Sequence, residues 1–193
     1  MPCSGSCQPR LRGIDEPIQP DSANSATTAG CLEALDRLCT EGLHFVNIAD
    51  IGTGTGLLAF AALALWPQAR AIATDIDPIA VDVACDNAAI NGVALGHKAG
   101  ELLITTADGM DSPMLAARAP FGLIIANILA GPLIALAGDF ADAVAPRGHL
   151  LLAGLLTTQE PAVRAACRTA GFRLAARLVN GDWSILWLRR RDI

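Results

Sequence analysis

The sequence predicts an α/β fold: a mostly parallel sheet of seven strands, helices on both faces, and an antiparallel hairpin at the C-terminal end. Three observations carry that reading. Short apolar runs alternate with segments of helical periodicity from residue 45 onward. Four of the first five runs close on an acid or an amide, at Asp50, Asp75, Asp108 and Asn127. The alternation then stops near residue 172, where two extended runs flank Asn180-Gly181-Asp182, a hairpin signal. Alternating strands and helices give parallel strands, because each helix carries the chain back across the sheet.

Residues 1–20 are rich in Pro, Ser, Gly and Arg without periodicity, and read as a flexible tail ahead of one domain over 21–193. From Thr28 to Glu41 the residues Cys31, Leu32, Leu35, Leu38 and Cys39 recur at helical spacing, and Gly42 closes that helix. Strands are expected at 45–50, 71–75, 102–108, 123–127 and 149–153, with helices near 56–66, 78–91, 112–118, 132–144 and 159–170. Asp77 before Pro78 is an N-cap with proline at the first helical position. Thr157 and Glu160 have capping-box spacing, and Gly171 follows the last helix. The hairpin arms are 172–179 and 183–189; there is no internal repeat and no second core.

Composition narrows the function classes. A chain of 193 residues with 52% hydrophobic and 17% charged residues collapses into a sizeable core. Its net charge of −5 and pI near 5.0 argue against a general nucleic-acid or membrane-surface binder. Lys98 is the only lysine and tyrosine is absent, which removes any mechanism that needs a phenol. A mean hydropathy of +0.42 raises the question of a membrane span, and 119–138 is uncharged. That stretch holds Pro120, Asn127, Pro132 and three glycines, so a buried strand, a loop and a helix fit it better. The N-terminus has no apolar secretory segment. A cytoplasmic protein without a membrane partner or direct nucleic-acid binding is expected. Cys3 and Cys7 stand in the tail, while Cys31, Cys39, Cys85 and Cys167 sit singly in apolar helical patterns as small hydrophobes. No metal site is expected, because CxxC spacings are absent.

The strongest local signal is Asp50-Ile51-Gly52-Thr53-Gly54-Thr55-Gly56, directly after a strand and opening a helix. Glycines there let the backbone turn tightly and approach a ligand at the carboxyl edge of the sheet. Asp75 ends the next strand, where a carboxylate can accept from both hydroxyls of a ribose. Dinucleotide-binding enzymes share such glycines, and Gly54 to Ala59 also satisfy Gly-x-Gly-x-x-Ala. Three features separate the readings: Asp50 before the first glycine, Asp108 placed to meet an adenine amino group, and the terminal hairpin. Together they resemble the class I methyltransferases that use S-adenosylmethionine.

Asn127-Ile128-Leu129-Ala130-Gly131-Pro132-Leu133 is similar to the signature of the PrmA-type ribosomal protein methyltransferases, which methylate amino groups of the eleventh large-subunit ribosomal protein. Thr27-Thr28 with Cys31 to Leu35, Asp75 to Pro78, Asp86-Asn87-Ala88 with Asn91-Gly92, and Gly148 to Gly154 agree, so the resemblance spans about Thr27 to Arg190. It implies S-adenosylmethionine as cofactor, with Thr28, Gly52, Asp75 and Asn127 as contacts. Asp50, Thr53, Gly54, Gly56, Ile76 and Asp108 complete the expected cofactor site, and Asn127 is the expected catalytic residue. Two departures stand out. Where the family has Gly-Thr-Gly-Thr-His-Pro-Thr-Thr, residues 21–28 read Asp-Ser-Ala-Asn-Ser-Ala-Thr-Thr, an altered loop. The family's N-terminal recognition domain is replaced by a short tail, which points to a separate recognition subunit.

Methyl transfer to an amine is an in-line displacement that requires a lone pair held against the methyl group. A lysine-type amine is neutral in about one molecule per thousand near pH 7, which costs roughly 4 kcal/mol. Desolvation beside a sulfonium lowers that pKa, so no general base is assigned. The side-chain carbonyl of Asn127 and the backbone carbonyl of Ile128 are expected to accept the amine's N–H bonds. The acceptor is expected on a ribosomal or other protein, or on a smaller molecule. Arginine methylation lacks its paired glutamates, the first glutamate after the fourth strand being Glu160. Histidines 44, 97 and 149 read as structural or solvated, and Arg189-Arg190-Arg191 as a solvated C-terminus. Two other readings stay open: a nicotinamide-dependent oxidoreductase, which lacks an obvious proton donor, and a non-catalytic subunit that binds cofactor or a partner.

Overall fold

A computed structural model describes residues 22–192; the expected tail over 1–20 lies outside them. The first helix, α1 (Ser22–Thr40), starts six residues earlier than its periodicity predicts. Residues 22–29 contain neither glycine nor proline, so the stretch aligned with a glycine-rich loop continues the helix instead. Then come β1 (Asn47–Ile51), α2 (Leu57–Leu65), β2 (Arg70–Asp75), α3 (Pro78–Ile90) and β3 (Leu102–Thr106). The chain goes on through α4 (Pro113–Arg118), β4 (Phe121–Asn127), α5 (Ala130–Ala135), α6 (Ala137–Ala143), β5 (Val144–Leu156), α7 (Glu160–Thr169), β6 (Phe172–Asn180) and β7 (Trp183–Arg190).

The seven strands form one sheet in the order β3-β2-β1-β4-β5-β7-β6. The first five are parallel; β6 and β7 pair antiparallel, as the hairpin predicts, and β7 lies between β5 and β6. Strand order reverses between β1 and β4, which puts a crevice outside their carboxyl ends. Alternate residues of each strand feed two cores. Ile48, Ala71, Ile125 and Leu151 join α1 and α2 on one face; Ala49, Ile72, Ile124 and Leu150 join α4 to α7 on the other. Burial on both faces is why these strands read as continuous apolar runs.

Several boundaries differ from the sequence reading. The helix expected at 132–144 begins at Ala130 and divides into α5 and α6 at Leu136. Pro132 fits the first turn of α5, where no intrahelical N–H is needed. β3 stops at Thr106, because the chain turns through Gly109 (φ 55°), so Asp108 lies in the turn rather than on the strand. The expected capping box is not formed: Gln159 caps α7, and its Oε1 accepts from the Leu156 N–H at 2.9 Å. Glu160 turns inward, where it accepts from Arg177 Nε (2.6 Å), Ser184 Oγ (2.7 Å) and Arg164 Nη1 (3.2 Å). Asp77 does cap α3, accepting from the Ile79 N–H at 2.9 Å. The uncharged 119–138 stretch becomes β4, α5 and the start of α6, and no described helix is long and apolar enough to cross a membrane.

Candidate functional site

The carboxyl edge of the sheet gathers the predicted residues around the β1–β4 switch point. Asp50, in β1, is 1% exposed; its Oδ2 accepts from Thr53 Oγ at 2.6 Å, and the Ala59 backbone N–H also lies near the carboxyl. Burial pushes the Asp50 carboxyl up to about 7, against the lowering effect of the Thr53 hydroxyl. The glycine loop that follows is tied down at several points. Gly52 and Thr53 donate to the Thr74 carbonyl at 2.8 and 2.9 Å, extending the β1–β2 ladder. Gly54 donates to Asp75 Oδ2 at 2.8 Å, and Asn87 Nδ2 of α3 donates to the Thr55 carbonyl at 3.0 Å.

Glycine is required at two of these positions by geometry. At Gly52 (φ 71°) a Cβ would lie 2.2 Å from Ile128 Cγ2, and at Gly56 (φ 88°) 2.4 Å from Phe60 Cζ. Gly54 differs: a Cβ there would meet nothing within 4 Å, so its backbone borders open space. Asp75 Oδ1 accepts from the Asp77 N–H at 3.1 Å. Each of its oxygens keeps a spare lone pair on a half-buried carboxylate. Next to it Ile76 is 65% exposed, an apolar side chain left uncovered at the edge. The Ala107 N–H donates to the Asp75 carbonyl at 2.9 Å and so sets exposed Asp108 beside this strand end.

Across the crevice, β4 ends in half-buried Asn127, whose Nδ2 faces Thr28 Oγ of α1 at 3.5 Å. Thr28 and Asn127 are 99 residues apart in sequence, and the fold brings them together. With Nδ2 turned to Thr28, Asn127 Oδ1 is the oxygen left to accept. The Ile128 carbonyl, which the sequence reading expects to assist it, lies close to Gly154 of β5. A Cβ at Gly154 (φ 79°) would lie 2.4 Å from that oxygen, so the carbonyl is seated against the β5 backbone.

Gly154 and Asn87 are the two supporting residues that sequence reasoning missed. Gly154 occupies the register shift between Leu152 and Leu155 in the β5–β7 pairing. A glycine directly after the strand expected at 149–153, closing the Gly148 to Gly154 stretch of the resemblance, was the available signal for such a bulge. Asn87 lies in a stretch that the resemblance picked out, yet its hydrogen bond across 32 residues leaves no trace in spacing. The cysteines behave as expected: Cys31 and Cys167 are free and buried. His149 is buried, and its Nδ1 accepts from Trp187 Nε1 at 2.8 Å.

A parallel sheet with a terminal antiparallel insertion, and a clamped glycine loop at its switch point, defines a class I methyltransferase fold. Solved structures share it. The ribosomal protein L11 methylase of Lactobacillus delbrueckii subsp. bulgaricus superposes with a TM-score of 0.74 at 27% identity, over 86% of this chain and 79% of that one. A Bradyrhizobium japonicum N-methyltransferase shares the fold at TM-score 0.63 and 15% identity, over 91% of this chain and 100% of its own. Residues 22–191 match the family described as ribosomal protein L11 methyltransferase (PrmA), and the chain belongs to that family. A ribosomal protein L11 methyltransferase of Brucella melitensis is 42% identical over 176 residues, 91% of this chain and 59% of its own length. That of a Caulobacter species is 38% identical over 88% of this chain and 56% of its own. The chain therefore spans under three fifths of the curated relatives it matches.

Proposed function

We propose that this chain is an S-adenosylmethionine-dependent methyltransferase that modifies an amino group of a ribosomal protein, most directly L11, the protein named in its relatives' descriptions. The observation that carries the proposal is Asn127, whose amide is oriented by Thr28 across the switch-point crevice from a glycine loop clamped by Asp75. The nicotinamide reading is not favoured, since the relatives are methyltransferases.

The residues present fit S-adenosylmethionine. The open backbone at Gly54 leaves room for a ligand, Asp75 has acceptor capacity for a ribose, and exposed Ile76 offers an apolar surface for a purine. Thr28, Gly52 and Asn127 lie at the same edge of the sheet, and exposed Asp108, next to the Ala107–Asp75 hydrogen bond, supports a contact to an exocyclic amine. Asp50 with Thr53 braces the loop from beneath, and Gly56 starts α2. When bound, the cofactor supplies a methyl group on a sulfonium, ready for in-line displacement.

The chain's own work is then to position the acceptor. Asn127 Oδ1 accepts an N–H of the neutral amine and aims its lone pair, with Thr28 Oγ 3.5 Å from the amide nitrogen. Buried Asp50 is sealed beneath the loop and takes no proton from the acceptor. Family membership supports a cytoplasmic setting.

The test is transfer of labelled methyl groups from S-adenosylmethionine to purified L11 and to a fractionated cell extract. Label in one protein band, lowered about a hundredfold by Asn127→Ala and well beyond any loss of S-adenosylhomocysteine binding, supports the reading. Protection against thermal unfolding by NAD but not by S-adenosylhomocysteine would overturn it in favour of an oxidoreductase. Tight S-adenosylhomocysteine binding without turnover on any fraction would instead make the domain a non-catalytic subunit.

A further inference from the structure

We propose a second binding site, remote from the crevice, for the phosphate backbone of a single-stranded nucleic acid. The net charge of −5 conceals a segregation. Residues 160–193 hold seven arginines and three acids, whereas the first 159 hold seven bases and sixteen acids. Charge asymmetry of this kind marks a local electrostatic footprint that a global pI hides.

The fold concentrates the arginines at a cavity of about 390 Å³ between α7 and the β6–β7 hairpin. Arg164, Arg168, Arg173 and Arg191 line it above an apolar floor that includes Leu174 and Leu188. All four are exposed. Glu160, the first residue of α7, is buried away from the cavity and already occupied by Arg177, Ser184 and one nitrogen of Arg164. Asp192 pairs with Arg147 instead. Arg168, Arg173 and Arg191 are left without a carboxylate partner among the described residues, so their charge faces solvent. The neighbouring Arg190 is satisfied by the Val144 carbonyl and Arg189 by that of Arg147, so part of the C-terminal run is structural.

The arrangement favours a nucleic-acid strand over other anions. Arg164 and Arg168 are one helical turn apart on α7, about 6 Å along its axis. Arg191 lies beside the start of β6, where its N–H meets the Gly171 carbonyl, and Arg173 follows two residues on. Guanidinium groups set out on two elements match successive phosphates better than one small anion. Every cation is arginine, whose planar fork binds phosphate bidentately and stacks on bases. The apolar floor gives a base a place to leave water. Being apart from the crevice, the site stands or falls independently of methyl transfer.

The test is fluorescence anisotropy of labelled twelve-nucleotide RNA and DNA strands with the full chain at 50 mM salt, repeated as salt is raised. Binding is expected to weaken with a log–log slope of about −2 to −3, the value for three or four contacts on a single strand. Arg168→Gln with Arg173→Gln should lower affinity at least tenfold and flatten that slope by about 1.4, while Arg37→Gln on α1 leaves both unchanged. S-adenosylhomocysteine binding should be unaffected in the double variant, which reports that it is folded. RNA and DNA strands binding alike fits backbone recognition; a large preference for RNA also supports the site and adds 2′-hydroxyl contacts. The proposal is overturned by no binding at 100 µM protein, by equal binding of the double variant, or by an acidic polyglutamate peptide that competes at the same concentration as the strands.

Discussion

Replacing Gly154 with alanine should separate the geometry of the acceptor site from the binding of cofactor. Gly154 has φ 79°, a conformation that costs an L residue about 1–2 kcal/mol. Its new Cβ would also sit 2.4 Å from the Ile128 oxygen and 2.8 Å from the Ile128 carbon, both backbone atoms that no rotamer change can move. Restoring ordinary contact requires the Asn127–Ile128 segment to retreat by about an ångström, and misplacement of that size can lower a rate on the order of a hundredfold. Strain and displacement together should destabilise the fold by about 2–4 kcal/mol, a fall in Tm of roughly 5–15 °C for a domain of this size. Thermal unfolding, calorimetric binding of S-adenosylhomocysteine and methyl transfer should be measured on the same preparation. We expect kcat to fall more than tenfold at temperatures where the variant is folded, with cofactor affinity within about threefold. Gly131→Ala, where a Cβ meets nothing within 4 Å inside α5, is the control and should be neutral or slightly stabilising. Refutation would be a Gly154→Ala protein with Tm within 2 °C and kcat within twofold of the parent, since Ile128 would then not be seated rigidly on β5.

Three further outcomes follow from the hydrogen bonds. Asp75→Ala removes a charged acceptor from the Gly54 and Asp77 amides and should weaken S-adenosylhomocysteine about 30- to 100-fold, on the order of 2–3 kcal/mol. Asp77→Ala removes only a helix cap, so it should cost about 1 kcal/mol in chemical denaturation while leaving affinity within threefold. Glu160→Ala strips the buried Ser184 hydroxyl and two arginines of their shared acceptor; a loss of about 2–3 kcal/mol in urea unfolding is expected, with cofactor binding intact. The His149 imidazole is pushed down to about 4 by burial and by Arg189. As pH falls below about 6.5 the unfolded chain takes up a proton that the native state refuses, so stability drops until pH 4 and then levels for this group. His149→Asn should flatten that part of the stability profile between pH 6.5 and 4.

The sheet was legible because its strands are buried on both faces and end in polar residues at one edge. Asp50, Asp75 and Asn127 mark strand ends, and the fold places each where the ligand-binding rule for open α/β sheets puts it. Short-range chemistry was legible too: Asp77 with Pro78 names a cap by two adjacent residues. Contacts made by closure of the fold were not. Nothing local says that Thr28 faces Asn127, that Asn87 holds Thr55, or that the Gly154 bulge receives Ile128. Capping-box spacing at Thr157 and Glu160 misled because a carboxylate with two arginines and a serine inside reach gains more there than at a helix end. Resemblance to a glycine-rich loop misled at 22–28, where substituted residues carry ordinary helical propensity.

The glycine loop is fastened to Thr74, Asp75 and Asn87 by the protein alone. Ordering five residues from Gly52 to Gly56 costs about 5–10 kcal/mol of backbone entropy, and here that loss is met during folding rather than when a ligand arrives. Arrival should therefore be close to lock-and-key, with small changes in amide exchange across the loop. The same economy ties two failures together: a lesion that loosens β2 or α3 should release the loop before it unfolds the sheet, so ligand capacity would vanish ahead of secondary structure on heating. A saturating ligand would reverse that order, raising the melting temperature by mass action through the loop it holds.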